Sequence, residues 1–330
     1  MLAPHLLSRR LKTIAPALAA AVMLSFATDA SAAPGPLVEA EWLQANLERD
    51  DLVILDTRAA SDDTNPYTEG HVPGAIHAPY PGGWRTTRDG VPGQLPPINE
   101  LEAHIGELGI SGEETVVIVP AAQSASEFGG ATRVYWTLKL VGVDNVTILN
   151  GGYRAWNGFA AAEVTTNAPE PEPIRFTAEL RPELLVDSDE VRQRLDDGSS
   201  VMLDGRPAAQ FAGREKHPAA RLFGRLPGST HLDQADFFDP DTGRLLPQEA
   251  AAQIVPEGIT DPDLEIVSYC NTGHWASVNW FVLSEILGYK SVTLYDDSMV
   301  GWAEDPENPV ESDRTRLDDL RDWWHSVTAG

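Results

Sequence analysis

EIVSYCNTGHWA, residues 265–276, decides the fold of this 330-residue chain. Its apolar and β-branched start predicts a buried strand that ends just before Cys270. Apolar side chains then recur at about every 3.6 residues from Val278 to Ile286, which predicts a helix that ends before Gly288. A strand, a short loop and a helix in this order are typical of parallel α/β sheets, which bind ligands beyond the carboxyl ends of their strands. We therefore expect Cys270 at a ligand site.

The loop from Cys270 to Ser277, which joins this strand to this helix, favours a negative charge at the cysteine sulfur. A tight turn would aim several backbone N–H groups at the cysteine sulfur, and the helix that follows adds about half a positive charge at its N-terminus. Both effects favour a thiolate, a persulfide sulfur or an oxyanion at this place. Gly273 lets the backbone curl without a Cβ clash. The alternative is a buried structural cysteine, a common fate of a free thiol.

The chain contains an internal repeat. Four segments of the first half recur in the same order in the second: VILDTR (53–58) and VMLDGR (201–206), GHVPGAIH (70–77) and GRLPGSTH (224–231), the strands 116–119 and 265–268, and the strands 146–149 and 292–295. Blocks repeated at a near-constant offset indicate a duplicated domain. Between the halves, APEPEP (168–173) has the composition of a stiff linker.

The alternation of strand and helix patterns in each half predicts an α/β fold made of two tandem domains, each a parallel sheet flanked by helices. We predict a domain without the cysteine at 36–160, a linker at 161–183 and a catalytic domain at 184–328. Aligning the repeats places Pro120-Ala121 opposite Tyr269-Cys270.

The composition excludes several classes of protein. Fifty Asp and Glu against 24 Lys and Arg leave a formal net charge of −26. Such an acidic chain lacks the basic face that a general nucleic-acid binder needs. A single cysteine excludes an intramolecular disulfide and any metal site built from several cysteines.

Residues 1–33 have the pattern of a secretory signal. Arg9, Arg10 and Lys12 form a positive start, residues 14–27 are mostly apolar, and small residues precede a cleavage position after Ala32 or Ala33. The apolar run is shorter than the roughly 20 residues of a membrane span. We expect a periplasmic or secreted protein without stable membrane association after cleavage. The pattern leaves the general secretory and twin-arginine routes open.

The duplicated Asp-x-Arg and Val/Leu-Pro-Gly elements, with a strand-end cysteine loop in the second half alone, resemble the two-domain rhodaneses. These are the thiosulfate and 3-mercaptopyruvate sulfurtransferases, and the resemblance covers about residues 36–328. It implies that Cys270 takes a sulfur atom from a small anionic donor as a persulfide and passes it to a thiophilic acceptor, cyanide or a thiol. It implies no metal or organic cofactor.

The resemblance also implies a set of substrate-binding residues. The loop residues Asn271, Thr272, Gly273, His274 and Trp275 would cradle the sulfur, with His274 supplying a positive charge if protonated. Arg206 would brace the loop or contact the substrate. The family often has an arginine four residues later, where this chain has Gln210.

A basic stretch offers replacements for the missing arginine. Residues 206–231 contain five Lys and Arg but one acid, and we expect Arg214 or Lys216 to take over the anion contact. His71 faces the cleft or holds a turn, and Arg85 and Arg88 could border the cleft. Of these two interpretations of His71, the structural one is the more common in such domains.

Several functions remain in competition. Thiosulfate is the expected donor, since it is the more plausible compound outside the cytosol, with 3-mercaptopyruvate as the alternative. A partner-dependent persulfide carrier is a further alternative. A rhodanese-like phosphatase would need an arginine six residues after the cysteine, and that position is Ala276. A metal site would have just Cys270 and His274 as obvious ligands. Because duplication already supplies a cleft between domains, we expect a monomer.

Overall fold

The computed structural model describes residues 34–315 together with Asp318 and Trp324. The predicted signal segment 1–33 and the end of the predicted domain 184–328 lie outside the described residues. Within the described part of the chain, no helix is long and apolar enough to cross a membrane.

The first half contains five strands of one parallel sheet, a small antiparallel hairpin and five helices. In chain order they are β1 (Leu37–Val38), α1 (Ala40–Asn46), β2 (Leu52–Asp56), α2 (Pro66–Glu69), β3 (Ala75–His77), β4 (Thr86–Arg88), β5 (Val91–Gln94), α3 (Ile98–Glu107), β6 (Thr115–Val119), α4 (Ala125–Leu140), β7 (Val146–Leu149) and α5 (Gly152–Gly158).

The second half repeats this arrangement. Its elements are β8 (Leu185–Val186), α6 (Ser188–Asp197), β9 (Val201–Asp204), α7 (Ala208–Phe211), β10 (Thr230–His231), β11 (Phe238–Asp239), β12 (Arg244–Leu245), α8 (Gln248–Ile254), β13 (Glu265–Tyr269), α9 (Ala276–Phe281), β14 (Ser291–Tyr295) and α10 (Ser298–Trp302).

The two large sheets have the same topology. Their strand orders are β1-β7-β6-β2-β3 and β8-β14-β13-β9-β10, and every neighbouring pair is parallel. All five residues of β6 are buried, as expected of a central strand covered by helices on both faces. The predicted fold of two tandem parallel α/β domains is confirmed.

The strand registers correct one detail of the predicted repeat. Asp56 pairs with Val119 in the first sheet, and Asp204 pairs with Tyr269 in the second. Val119 is therefore the counterpart of Tyr269, and Pro120, not Ala121, stands where the second half has Cys270. The predicted match of 116–119 with 265–268 is one residue out, because short apolar strands resemble each other in neighbouring registers.

The helix predicted after the cysteine loop changes its geometry half-way. It begins at Ala276 as an α-helix and continues over Val282–Ile286 with the wider turns of a π-helix. It ends before Gly288, whose φ of 75° is in the left-handed region that glycine adopts at helix ends. The predicted start and end are both confirmed.

The two halves share one core. Helix α4 of the first half packs against α9 of the second, where the Tyr135 ring lies edge-on to Phe281 at 4.9 Å between centroids. The hydroxyls of Thr132 and Ser277 lie 2.8 Å apart at the same contact. Residues of both halves therefore belong to a single apolar cluster. This packing makes one compact unit of the described chain from residue 34 onward.

The predicted linker lies against the first half instead of standing free. It has no regular helix or strand between residues 166 and 181. Its backbone is nevertheless anchored, because the N–H of Ile174 donates to the carbonyl of Gly106 at 3.0 Å and that of Glu179 to the carbonyl of Val141 at 3.0 Å. The Phe176 side chain is buried.

Candidate active site

Cys270 stands at the carboxyl end of β13, the middle strand of the second sheet. The six-residue loop Cys270–Trp275 turns directly into α9. Gly273 has a φ of 68°, and a Cβ there would lie 2.8 Å from a carboxylate oxygen of Asp296. The loop therefore requires glycine at this position, both for its left-handed backbone and for the space beneath it.

The Ser298 hydroxyl holds the loop from below. It accepts hydrogen bonds from the backbone N–H of Cys270 at 3.0 Å and of Gly273 at 3.1 Å, and donates to the carbonyl of Tyr295 at 2.8 Å. Two of the N–H groups expected around the sulfur are thus engaged elsewhere. Within the described residues, the N–H groups of the four other loop positions donate to no protein acceptor, and they remain for a ligand: Asn271, Thr272, His274 and Trp275.

An ion pair between the two halves supports the loop on its inner side. Arg133 of α4 is fully buried, donates to the carbonyl of Gly273 at 3.1 Å and pairs with Asp296 at 2.5 Å. The second oxygen of Asp296 accepts the N–H of Leu95 at 2.6 Å. The first half thereby clamps the loop that carries the cysteine.

His274 is neutral in this site. Its Nε2 donates to the carbonyl of Ser126 at 2.9 Å, and its Nδ1 accepts the hydroxyl of Tyr80 at 2.7 Å. Burial, reinforced by the positive charge of Arg85, lowers the pKa of His274 to about 3. The positive charge that the sequence analysis assigned to a protonated His274 is therefore absent at neutral pH.

A cavity of about 380 Å³, here called the Cys270 cavity, opens above the loop. Both halves line it, with Tyr80, Arg85, Ser126 and Glu127 from the first and His217, Cys270, Asn271, Thr272, His274 and Trp275 from the second. The Cys270 side chain forms its base and is just 1% exposed. The Trp275 indole donates to the Ser126 hydroxyl at 3.1 Å, which ties this wall to the first half.

Arg85 supplies the positive charge of the Cys270 cavity. Its guanidinium donates to two backbone carbonyls, those of Gly93 at 2.7 Å and Thr272 at 2.5 Å. Among the described residues, no carboxylate pairs with Arg85. Burial and the nearby charges of Arg85 and Lys216 lower the pKa of His217, so this neighbour is uncharged at neutral pH. Arg85 is thus the cation available to an anionic ligand here.

Several predicted contact residues lie outside the cavity lining. Arg206 is buried, binds both oxygens of Asp204 and donates to the carbonyl of Gly224 at 2.8 Å, which fits the bracing interpretation. Arg214 is exposed, and the ammonium of Lys216 donates to the carbonyl of Ala220. Neither Arg214 nor Lys216 lines the Cys270 cavity, so neither makes the anion contact that we expected of the basic stretch.

His71 and Gln210 have structural contacts. The ring nitrogens of His71 lie 2.9 and 3.2 Å from the carbonyl oxygens of Tyr67 and Asn167, and its side chain is fully buried. This geometry fits the turn-holding interpretation. The side-chain oxygen Oε1 of Gln210 accepts a hydrogen bond from the side-chain Nδ2 of Asn271 at 2.8 Å. The position of the missing arginine thus still touches the cysteine loop, as an uncharged support.

A family model described as "Rhodanese-like domain" matches the chain twice, over residues 39–158 and 187–305. The chain belongs to the rhodanese family. Each match contains four of the five strands of one parallel sheet, and the second contains Cys270. The repeat and the rhodanese-type sulfurtransferase class predicted from the sequence are confirmed.

Relatives named as sulfurtransferases match most of the length of this rhodanese. A thiosulfate sulfurtransferase of Azotobacter vinelandii is 30% identical over 83% of this chain and 96% of its own. A mitochondrial thiosulfate/3-mercaptopyruvate sulfurtransferase of Arabidopsis thaliana is 28% identical over 87% of this chain and 81% of its own.

Solved structures show the same fold. SseA of Escherichia coli, described with the 3-mercaptopyruvate sulfotransferases, superposes with a TM-score of 0.69 at 25% identity, over 80% of this rhodanese and 99% of SseA. An anaerobic ergothioneine biosynthesis enzyme of Chlorobium limicola, bound to trimethyl histidine, superposes at 0.71 with 24% identity, over 85% and 71% of the two chains. At this identity the second likeness concerns the fold alone.

Much of the site of this rhodanese has no signal in the local sequence. Tyr80, Ser126, Glu127 and Arg133 all come from the half without the cysteine, and no local pattern joins them to residue 270. Arg85 had been noted as a residue that could border the cleft, without a role. Within the described residues, no group of three or more His, Cys, Asp or Glu side chains is placed to bind a metal ion.

Proposed function

We propose that this rhodanese transfers the outer sulfur of thiosulfate to cyanide or a thiol through a persulfide on Cys270. The observation that carries the proposal is the pairing of two features in one cavity. Cys270 lies at its base, within a loop in which four of the six N–H groups have no acceptor among the described residues. Arg85 stands in its wall, and no described carboxylate pairs with it. One feature suits a sulfur atom and the other suits a sulfonate.

The reaction has two steps that balance without a cofactor. The Cys270 thiolate attacks the outer sulfur of thiosulfate, the S–S bond breaks, and sulfite leaves with the electron pair. An acceptor nucleophile then attacks the outer sulfur of the persulfide, and the Cys270 thiolate returns. Such covalent catalysis gives ping-pong kinetics. Arg85 would hold the sulfonate oxygens, and the loop N–H groups would hold the transferred sulfur.

A second donor, 3-mercaptopyruvate, is favoured by the charge of the loop. From Asn271 to Trp275 the loop has no charged side chain, because His274 is neutral. The carboxylate of 3-mercaptopyruvate would take the place of the sulfonate at Arg85. A carrier that passes its persulfide to one partner is the remaining alternative, and it would turn over slowly with free cyanide.

The test compares donors and variants. We expect initial rates with thiosulfate and cyanide to vanish in Cys270→Ser. Arg85→Ala should raise the KM for thiosulfate by roughly ten- to a hundredfold, because a charge-assisted hydrogen bond contributes about 1.5–3 kcal/mol. Arg88→Ala, in the same hairpin but outside the cavity lining, is the matched control.

The other outcomes have clear meanings. Faster turnover with 3-mercaptopyruvate would assign the second donor, and no turnover with either donor by a folded protein would leave the carrier. A thiosulfate KM that rises in Arg214→Ala or Lys216→Ala but not in Arg85→Ala would restore the anion contact expected from the sequence.

We further propose that the protein is exported and acts as a monomer. The signal pattern of residues 1–33 supports export to the periplasm or beyond. Because one chain supplies both walls of the Cys270 cavity, no second copy is needed to complete the site. Cell fractionation and N-terminal sequencing should find a mature protein that begins at residue 33 or 34, and a cytosolic protein with its first residues intact would contradict the export.

A further inference from the structure

A second cavity adjoins the Cys270 cavity, at the carboxyl edge of the first sheet. It measures about 330 Å³ and is here called the first-half cavity. It lies beside Pro120, the counterpart of Cys270 in the half without the cysteine. Tyr80 and Glu127 line both cavities. A ligand seated in the first-half cavity therefore lies next to the space above Cys270.

The charged side chains that line the two cavities differ. Arg58 lines the first-half cavity, but its guanidinium is neutralised by Asp56 at 2.6 Å and also donates to the carbonyl of Gly70 at 2.7 Å. Glu127 is exposed, and within the described residues it forms no ion pair. In the first-half cavity the charge of Glu127 is thus unbalanced, whereas in the Cys270 cavity, which Glu127 also lines, Arg85 supplies a positive charge.

Glu127 keeps one oxygen for a ligand. Its Oε2 accepts a hydrogen bond at 2.7 Å from the backbone N–H of Gln123, a residue that precedes α4. No described residue donates to Oε1. The same carboxylate repels a second anion, so an anionic sulfur donor is directed towards Arg85.

We propose that the first-half cavity binds the ammonium group of an aminothiol that accepts the sulfur. The proposal rests on the sulfur transfer proposed above and names the class of its acceptor. The acceptor thiolate attacks the outer sulfur of the Cys270 persulfide and forms a new S–S bond. The bond between that sulfur and Cys270 Sγ breaks, its electron pair returns to the Cys270 thiolate, and the acceptor leaves as a persulfide.

The test follows the second step by itself. Cys270 is loaded with thiosulfate, the excess donor is removed, and the loss of the persulfide is timed with three small thiols of different charge. These are cysteamine, which is cationic, 2-mercaptoethanol, which is neutral, and 3-mercaptopropionate, which is anionic. Ratios between thiols within one protein variant, compared across variants, cancel the intrinsic reactivity of each thiol.

Glu127→Gln removes the charge and keeps an oxygen that can accept the Gln123 N–H. We expect it to lower the ratio of the cysteamine rate to the 2-mercaptoethanol rate about three- to fivefold, as for a partly exposed ion pair. The ratio of the 3-mercaptopropionate rate to the 2-mercaptoethanol rate should rise. Glu41→Gln, an exposed carboxylate on α1 remote from both cavities, should keep the wild-type ratios. Equal ratios in wild type and Glu127→Gln would overturn the proposal.

A failure of the aminothiol proposal can be distinguished from a failure of the proposed sulfur transfer. If thiosulfate leaves Cys270 without an added sulfur atom by mass spectrometry, the donor assignment fails before any acceptor is present. Polysulfide, which supplies sulfane sulfur directly, then loads Cys270 for the same comparison of acceptors.

Discussion

At the scale of single residues, the charge of the site is decided by desolvation. His274 and His217 both line the Cys270 cavity, yet burial and the neighbouring Arg85 lower the pKa of each. Arginine side chains are permanent cations in proteins, and Arg85 is the arginine of this lining. A cation that cannot titrate is the better anchor for an anion over a range of pH.

The partly buried His274 makes stability depend on pH. An unfolded histidine has a pKa of about 6.5, whereas that of folded His274 is about 3. Between these values the unfolded chain binds a proton that the folded chain does not, so the free energy of unfolding falls as the pH falls. Above about pH 6.5 both states are neutral and the effect disappears.

We therefore expect the stability difference between wild type and His274→Gln to change with pH. From about pH 7.5 to about pH 5, wild type should lose about 1–2 kcal/mol more than the variant does. Urea unfolding at the two pH values measures this difference. Equal losses in both proteins would mean that His274 takes up its proton in the folded state.

At the scale of elements, one helix of the first half organises the loop of the second. Helix α4 supplies Arg133 beneath the loop, and Ser126 and Glu127 of its first turn in the wall of the cavity. The side chains of Arg133 and Ser126 reach partners more than 130 positions away along the chain. The half without the cysteine is therefore a working part of the active site.

The buried pair of Arg133 and Asp296 should be costly to break. Removing one partner leaves an uncompensated charge in the interior, so we expect Arg133→Met to lower the free energy of unfolding by about 3–5 kcal/mol. Arg181→Met, which breaks the exposed pair with Asp144, should cost less than about 1 kcal/mol. Denaturant unfolding of both variants tests the contrast.

Steady-state kinetics of a second variant test whether Arg133 positions the cysteine loop. Because Arg133 acts on the loop through the carbonyl of Gly273 and does not line the cavity, Arg133→Lys should lower kcat more than it raises the KM for thiosulfate. Similar stability losses at the buried and exposed pairs would contradict the clamp.

The sequence predicts the parts of this site that are local. The strand, the cysteine loop and the start of α9 all follow from residues 265–288, and the repeat follows from blocks that match by eye. The walls could not be predicted, because no pattern of local residues encodes which side chains of the first half meet the loop. The excess of basic residues in 206–231 does not make a cluster of free cations, for a related reason. In the basic stretch 206–231, Arg221 and Arg225 pair with acids that follow much later in the chain.

At the scale of the whole molecule, the shared core makes the two halves one folding unit. The Tyr135 and Phe281 rings pack across the contact, and the Trp136 indole donates to the carbonyl of Leu184 at 3.2 Å. The covalent connection through residues 161–183 is therefore not what holds the halves together. Noncovalent packing carries that task.

Cutting the linker should leave an active protein. With a protease site placed in the exposed part of 168–173, we expect the cleaved chain to elute as a single species in size-exclusion chromatography and to keep most of its sulfurtransferase rate. Its unfolding midpoint should fall, because the two pieces lose their high effective concentration once they separate. Two separate species in native buffer would show that the packing alone is insufficient.

The position of Cys270 has a consequence for chemical trapping. Its side chain is 1% exposed at the base of a cavity of about 380 Å³, so the cavity works as a size filter on whatever can reach the sulfur. Slender electrophiles such as iodoacetamide should label the thiol far faster than maleimides that bear bulky dyes. The same filter keeps folded proteins from forming mixed disulfides with it. An unpaired thiol at such a depth can persist in an oxidising compartment and still exchange sulfur with small molecules.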